Sequence, residues 1–233
     1  MRYLVISDLH CGSNKSHADD FADNDKNLIK WINAKIYTHQ IDKIILNGDQ
    51  TEEWQFRRKD ILKGHKVLFD YFKLMGVEEL IGNHNYKLGG KLTKKITCDN
   101  GKKVLISHGF QNDKAMTNPF TRFGVWLMGL IERIKPFKNI DNFADVLYKN
   151  KRSPIDINTE RYALDKLNKF DIVICGHTHK QKIMFINQYT YRTYAKKADK
   201  PTPVKIYANC GTCQGGKFQG TILDTKNGKV TRV

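Results

Sequence analysis

Seven side chains able to ligate a metal ion each follow closely on an apolar stretch: Asp8, His10, Asp49, Asn83, His108, His177 and His179. Carboxylates, imidazoles and one amide make a mixed nitrogen and oxygen donor set. Such a set suits manganese, iron, zinc or cobalt better than calcium or magnesium. Seven donors exceed what one ion needs if it is also to leave room for a substrate. They suit two ions about 3.5–4 Å apart that share a carboxylate, clamp a phosphoryl group and ionise a bridging water for attack on phosphorus. Hydroxide forms near neutral pH at such a site because the cations stabilise it. The spacings of Asp8-x-His10 and His177-x-His179 read as alternate side chains of a chain leaving a strand. Gly48, Gly82 and Gly176 read as sharp backbone turns before a ligand. His17, His39 and His65 follow no strand end, so each reads as an ordinary satisfied histidine of a helix or loop.

These donors need elements that bring them to one place. Residues 2–7, 42–46, 77–81, 102–107 and 171–175 are short, apolar and β-rich, and each is followed directly by Asp, Asn, Gly or His. They read as buried strands followed by functional loops. Helical spacing of apolar residues covers 19–40 and, less regularly, 53–75. Strands alternating with helices predict an α/β sandwich built on βαβ units, whose ligands gather at the carboxyl ends of the strands. Residues 110–169 break this rhythm with helical patterns over 120–134, 142–149 and 158–167, punctuated by Pro119, Pro136 and Pro154. They read as a helical insertion or lid, with the apolar stretch 123–131 packing it on the core or lining an acyl pocket. Strands are expected again at 182–186, 204–209, 217–224 and 229–233, the last two joined by a hairpin turn at 225–228.

With the elements placed, the motifs Asp8-x-His10, Gly48-Asp49, Gly82-Asn83-His84, His108-Gly109 and Gly176-His177-x-His179 resemble, in order, the five motifs of the calcineurin-like metallophosphoesterases. The resemblance spans residues 1–180 and implies a four-layer α/β/β/α sandwich, residues 1–233 forming a single domain with the insertion 110–169 inside it. It implies that Asp8, His10, Asp49 and His179 hold one ion, and that Asp49, Asn83, His108 and His177 hold the second. Mn²⁺ is the first expectation for both, with Fe, Zn or Co the others. His84 would bind no metal; it would stabilise the phosphoryl transition state and protonate the leaving oxygen. The chain departs from the family at Asn85, where an Asp or Glu usually orients that histidine. Asn85→Asp is therefore expected to keep or raise turnover. Residues 48–54 (GDQTEEW) further resemble the acidic and aromatic run of UDP-2,3-diacylglucosamine pyrophosphatases, as do the insertion and Asn209-x-Gly211. The Arg of phosphoprotein phosphatases is absent after Asp49, leaving Arg57 and Arg58, with Asn85, as candidate substrate contacts.

A net charge of +16 over 233 residues favours an anionic partner: a nucleotide, a nucleotide sugar, a nucleic acid or an acidic headgroup. The same charge, with Lys87, Lys91, Lys94 and Lys95, supports a nuclease as an alternative; a metal-scaffolded binding protein without turnover is a third. No apolar run approaches the ~20 residues of a membrane span, and the N-terminus carries no signal-peptide pattern. The odd number of cysteines (11, 98, 175, 210 and 213) predicts reduced thiols and a cytoplasmic location. Cys210-x-x-Cys213 has no second pair and reads as two small residues in a turn. Cys175 reads as core packing, and Cys11, next to His10, as a possible extra ligand.

Overall fold

Alternation along the first strand, β1 (Arg2–Ile6), sets the layering. Leu4 and Ile6 enter one apolar cluster, Tyr3 and Val5 another, because successive strand side chains face opposite sides. The computed structural model describes residues 1–15, 19–85, 89–112, 153–186 and 204–233. In it β1 pairs in parallel with β2 (Lys43–Asn47), which pairs in parallel with β3 (Glu78–Leu80). On its other side β1 meets β9 (Thr221–Asp224) antiparallel, and β10 (Lys229–Arg232) closes that edge. A second five-stranded sheet is built from β4 (Thr93–Thr97), β5 (Lys103–Ser107), β6 (Ile172–Cys175), β7 (Lys182–Ile186) and β8 (Lys205–Asn209). Its order is β4-β5-β6-β8-β7, parallel in the middle and antiparallel at both edges.

The two sheets face each other across a core of Tyr3, Val5, Ile45, Val104, Ile106, Ile174, Ala208 and Leu223. The outer face of the first sheet packs Leu4, Ile6 and Leu46 on Leu28 and Ile32 of α1 (Asp25–His39) and on Leu68 and Phe72 of α3 (Lys66–Leu74). Between these helices in the chain lies the short α2 (Arg58–Gly64). The outer face of the second sheet packs Leu105, Val173 and Tyr207 on Tyr162 and Ala163 of α4 (Pro154–Lys166). Three apolar layers therefore separate four structural ones, the expected α/β/β/α sandwich. A capping box starts α4: Ser153 Oγ accepts from Asp156 N, and Asp156 accepts from Ser153 N, worth about 1 kcal/mol.

Several boundaries differ from expectation, each for a local reason. Residues 19–23 stay outside α1 because the Asp19 carboxylate accepts from the amides of Asn14 and Phe21, holding a turn instead. The helix expected over 53–75 starts at Arg58 and breaks at His65, whose backbone leaves helical geometry at ψ 34°. The buried His65 ring is tied at that point to Asp19 and Asp25. β4 was not foreseen: its sequence TKKIT has one apolar residue, as suits an exposed edge strand guarded by lysines. Lys94, considered for nucleic acid, sits there 2.7 Å from Glu78. Of the segment 110–169, residues 154–166 form the outer layer on the second sheet. The helical patterns 120–134 and 142–149, the apolar stretch 123–131, His17 and Lys87 lie outside the described residues. Cys11 is corrected as a metal-ligand candidate: it is fully buried in the apolar cluster with Leu9, Phe21 and Cys213 and joins no metal-capable group among the described residues. All five cysteines are free and buried.

Candidate metal centre

Five strand ends converge at the carboxyl edge of the two sheets. β1 delivers Asp8 and His10, β2 delivers Asp49, β3 delivers Asn83 through Gly82, β5 delivers His108, and β6 delivers His177 and His179. Strand alternation does not explain the x-spaced pairs. Asp8, His10, Asp49, His177 and His179 all have φ between 50° and 70° and make up five of the eight non-glycine residues with positive φ among those described. L-residues rarely occupy this left-handed region, and each such residue costs on the order of 1–3 kcal/mol when strained. The surroundings hold them there. Thr212 Oγ1 and the Cys213 amide both donate to the Asp8 carbonyl. The Asn209 side chain at the end of β8 donates to the Gly176 carbonyl at 2.6 Å.

The three glycines also divide by role. Gly48 turns the chain at φ 90°, whereas Gly82 and Gly176 are needed for close approach. A Cβ on Gly82 would meet Asp49 Oδ1 at 2.1 Å, and one on Gly176 would meet Ser7 Oγ at 2.0 Å and Asp8 Oδ2 at 2.7 Å.

Each carboxylate is split between a structural and an open oxygen. Asp8 Oδ2 accepts from the His177 amide at 3.0 Å and from Ser7 Oγ. Asp49 Oδ1 accepts from the His84 amide at 2.9 Å. The other oxygens face imidazoles. Asp8 Oδ1 lies 3.2 Å from His179 Nε2, 3.7 Å from His10 Nε2 and 3.8 Å from His108 Nε2. Asp49 Oδ2 lies 2.9 Å from His108 Nε2 and 3.9 Å from His10 Nε2. Second nitrogens fix these rings: His108 Nδ1 donates to the Asn47 carbonyl at 2.8 Å, and His10 Nδ1 to Glu52 Oε2 at 2.9 Å. Both Nε2 atoms are thereby aimed inward at the open carboxylate oxygens, the orientation that ligating histidines show.

The electrostatics call for cations. Burial opposes charge at Asp8 and Asp49, yet His108, His179 and His10 hold Asp8, and His108, His84 and His10 hold Asp49, below the usual carboxylate range. Burial likewise opposes charge on His108, but Asp49 and Asp8 raise it to about 9. Buried atoms without a hydrogen-bond partner include Asp8 Oδ1, His10 Nε2, His108 Nε2 and both side-chain atoms of Asn83. Leaving such groups unsatisfied costs roughly 1–3 kcal/mol each, and a divalent ion would satisfy them. Two of the groups whose donor atoms lie within 4.8 Å of one another are Asp8, His10 and His179, and Asp49, His108 and His177. The residues present fit divalent metal ions.

Around this centre the structure also places the other candidates. His84 is partly buried beside Asp49 and His10. Asn85 does not reach it: Asn85 Oδ1 accepts from the Gly82 amide at 2.7 Å and holds the turn. Arg57 and Arg58 lie at the start of α2, paired with Asp60 at 2.8 Å and Glu53 at 3.0 Å, outside the cluster. The residue that sequence reasoning missed is Glu52. Its Oε2 lies 2.5 Å from His84 Nδ1, off the ideal hydrogen-bond direction, as well as on His10. Burial would raise its carboxyl, but the charge of His84 and contacts to both rings bring it to about 2. Its place three residues after Asp49 was the available signal. Glu52 thus supplies the carboxylate expected at position 85.

A dense set of strand-end carboxylates and imidazoles on an α/β/β/α sandwich defines a metal-dependent hydrolase of phosphate esters. Residues 1–181 match the calcineurin-like phosphoesterase family, and the chain belongs to it. It is a phosphoester hydrolase of a family that works with divalent metal ions. No curated protein matches its sequence. Similar solved structures include a dimetal phosphatase from Danio rerio, at 10% identity and a TM-score of 0.52, covering 100% of this chain and 98% of that one. A novel archaeal phosphodiesterase is 16% identical with a TM-score of 0.43, covering 100% and 99%. Vps29 from Entamoeba histolytica complexed with zinc is 15% identical with a TM-score of 0.46, covering 100% and 98%. At 10% identity the likeness to the dimetal phosphatase is one of fold. No helix among the described residues is long and apolar enough to cross a membrane.

Proposed function

We propose that the chain hydrolyses phosphoester or pyrophosphate bonds with two divalent ions. Asp8, His10, Asp49 and His179 would hold one, Asp49, Asn83, His108 and His177 the other, with Asp49 shared. The observation that carries this is the pair of compact donor groups, one from β1 and β6 and one from β2, β5 and β6, whose members include buried atoms without hydrogen-bond partners. The mixed donors favour Mn²⁺, then Fe, Zn or Co. Bound ions would supply Lewis-acid charge to the phosphoryl oxygens and lower the pKa of the attacking water. The protein's own groups do the rest. Asp8 and Asp49 stay ionised, and Glu52 keeps the His84 Nδ1 edge occupied, leaving Nε2 toward substrate. As water adds to phosphorus and the bond to the leaving oxygen breaks, that oxygen takes the Nε2 proton of His84. The proton lost by water goes to solvent, and His84 recovers its own from there.

The five free buried thiols favour a reducing, cytoplasmic setting. The +16 charge favours an anionic substrate such as a nucleotide or nucleotide sugar, and a nucleic acid as a second reading. Hydrolysis of p-nitrophenyl phosphate and its bis-ester with Mn²⁺ tests the mechanism. Chelation and Asp49→Asn should each lower turnover at least a thousandfold; turnover that survives both overturns it. Cleavage of DNA or RNA that falls steeply with salt would select the nuclease.

A further inference from the structure

Trp54 lies in the segment between β2 and α2, five positions beyond Asp49. Its indole lies flat on the imidazole of His84, with ring centroids 4.1 Å apart and planes within 15°. Its Nε1 donates to the carbonyl of Asn83 at 2.9 Å. One side chain therefore grips the loop of the third motif twice, by its backbone and by its ring.

The other contacts of His84 leave this one a distinct task. Glu52 holds the Nδ1 edge at 2.5 Å. The amide of His84 is fixed on Asp49 Oδ1. His10 meets the ring edge-on at 4.5 Å and 80°. None of these covers a face. A carboxylate at one edge leaves the ring free to pivot about that contact, because the terminal torsion of histidine is broad. A flat indole in van der Waals contact removes that freedom, because stacked aromatic rings attract each other beyond the area they bury.

We propose that Trp54 is a positioning residue for phosphoester hydrolysis: it sets the plane of the His84 ring, so that the nitrogen opposite Glu52 meets the leaving oxygen. The inference rests on His84 acting as the proton donor. It commits Trp54 to the step in which the leaving oxygen is protonated, and to no part in holding metal.

That commitment gives a readout that a merely structural role would not move. A leaving oxygen of low basicity departs without help, whereas a basic one needs its proton. Trp54→Ala should thus lose at most about threefold in kcat on p-nitrophenyl phosphate but at least about thirtyfold on phenyl phosphate, with KM nearly unchanged on both. Trp54→Phe keeps a flat face and lacks the N–H, and should recover most of the loss. If Trp54→Ala does not fold, Trp54→Leu, apolar but not flat, carries the same expectation. His84→Ala is the reference and should show the same leaving-group dependence, more strongly. In the metal-free protein, the ring protons of His84 should lose the upfield ring-current shift given by the indole in Trp54→Ala and keep one in Trp54→Phe. A uniform loss across leaving groups in the Trp54 variants, with a graded loss in His84→Ala, overturns the role of Trp54 alone. A uniform loss in His84→Ala as well overturns the reading of His84 and this proposal with it.

Discussion

Glu52 carries a prediction that separates charge from shape. Glu52→Gln keeps the size of the side chain that touches His10 and His84 and removes its charge. Losing a partner that orients a ligand and a proton donor together should lower kcat about 10–100-fold. Steady-state kinetics on phenyl phosphate check this, and a loss under threefold would show that Glu52 is a bystander. The same geometry reverses the expectation for position 85. Asn85 is fully buried and its Oδ1 already serves the Gly82 amide. Asn85→Asp would place a carboxylate at a fully buried position. It should cost on the order of 1–3 kcal/mol in urea unfolding and should not raise kcat. A higher kcat would show that position 85 does reach His84. The donor residues were legible because ordered motifs name them one by one. Glu52 was not, since its partner His84 is brought beside it only by the pairing of β2 with β3. The left-handed backbone at Asp8 was not legible either, because the groups that hold its carbonyl, Thr212 and Cys213, lie about 200 positions away.

At the level of elements, the buried Asp19–His65–Asp25 brace ties the loop after β1 to the junction of α2 and α3. His65 Nδ1 lies 2.6 Å from Asp25 and Nε2 3.1 Å from Asp19. Burial alone would lower the pKa of His65, but the two carboxylates raise it to about 9, while the same contacts hold Asp19 below its usual value. The sign follows. A raised histidine contributes stability that is full below its unfolded value of about 6.5 and is lost as pH rises through about 9. The depressed Asp19 contributes above about pH 4 and loses its contribution in acid. The gap in unfolding free energy between the wild type and His65→Ala should be about 3 kcal/mol between pH 5 and 6 and should shrink above pH 9. A gap that does not change with pH contradicts the brace. Strands such as Ile172–Cys175 were readable because both faces are buried and the run is wholly apolar. β4 was not readable because an exposed edge strand has no apolar pattern to show. The break at His65 was not readable because the histidine's partners lie 40 and 46 positions away.

For the molecule as a whole, three apolar layers hold two sheets so that their parallel strands end together, and the chemistry gathers where they end. The chain carries a net charge of +16, a sign that favours an anionic substrate. We propose that this edge holds two ions through one shared aspartate. The most direct measurement is a calorimetric titration of the metal-free chain with Mn²⁺, read beside the same titration of Asp49→Asn. Two ions per wild-type chain are expected, and at most one weakly held ion in the variant together with loss of hydrolysis. One ion per wild-type chain, or two retained by Asp49→Asn with hydrolysis intact, would contradict it.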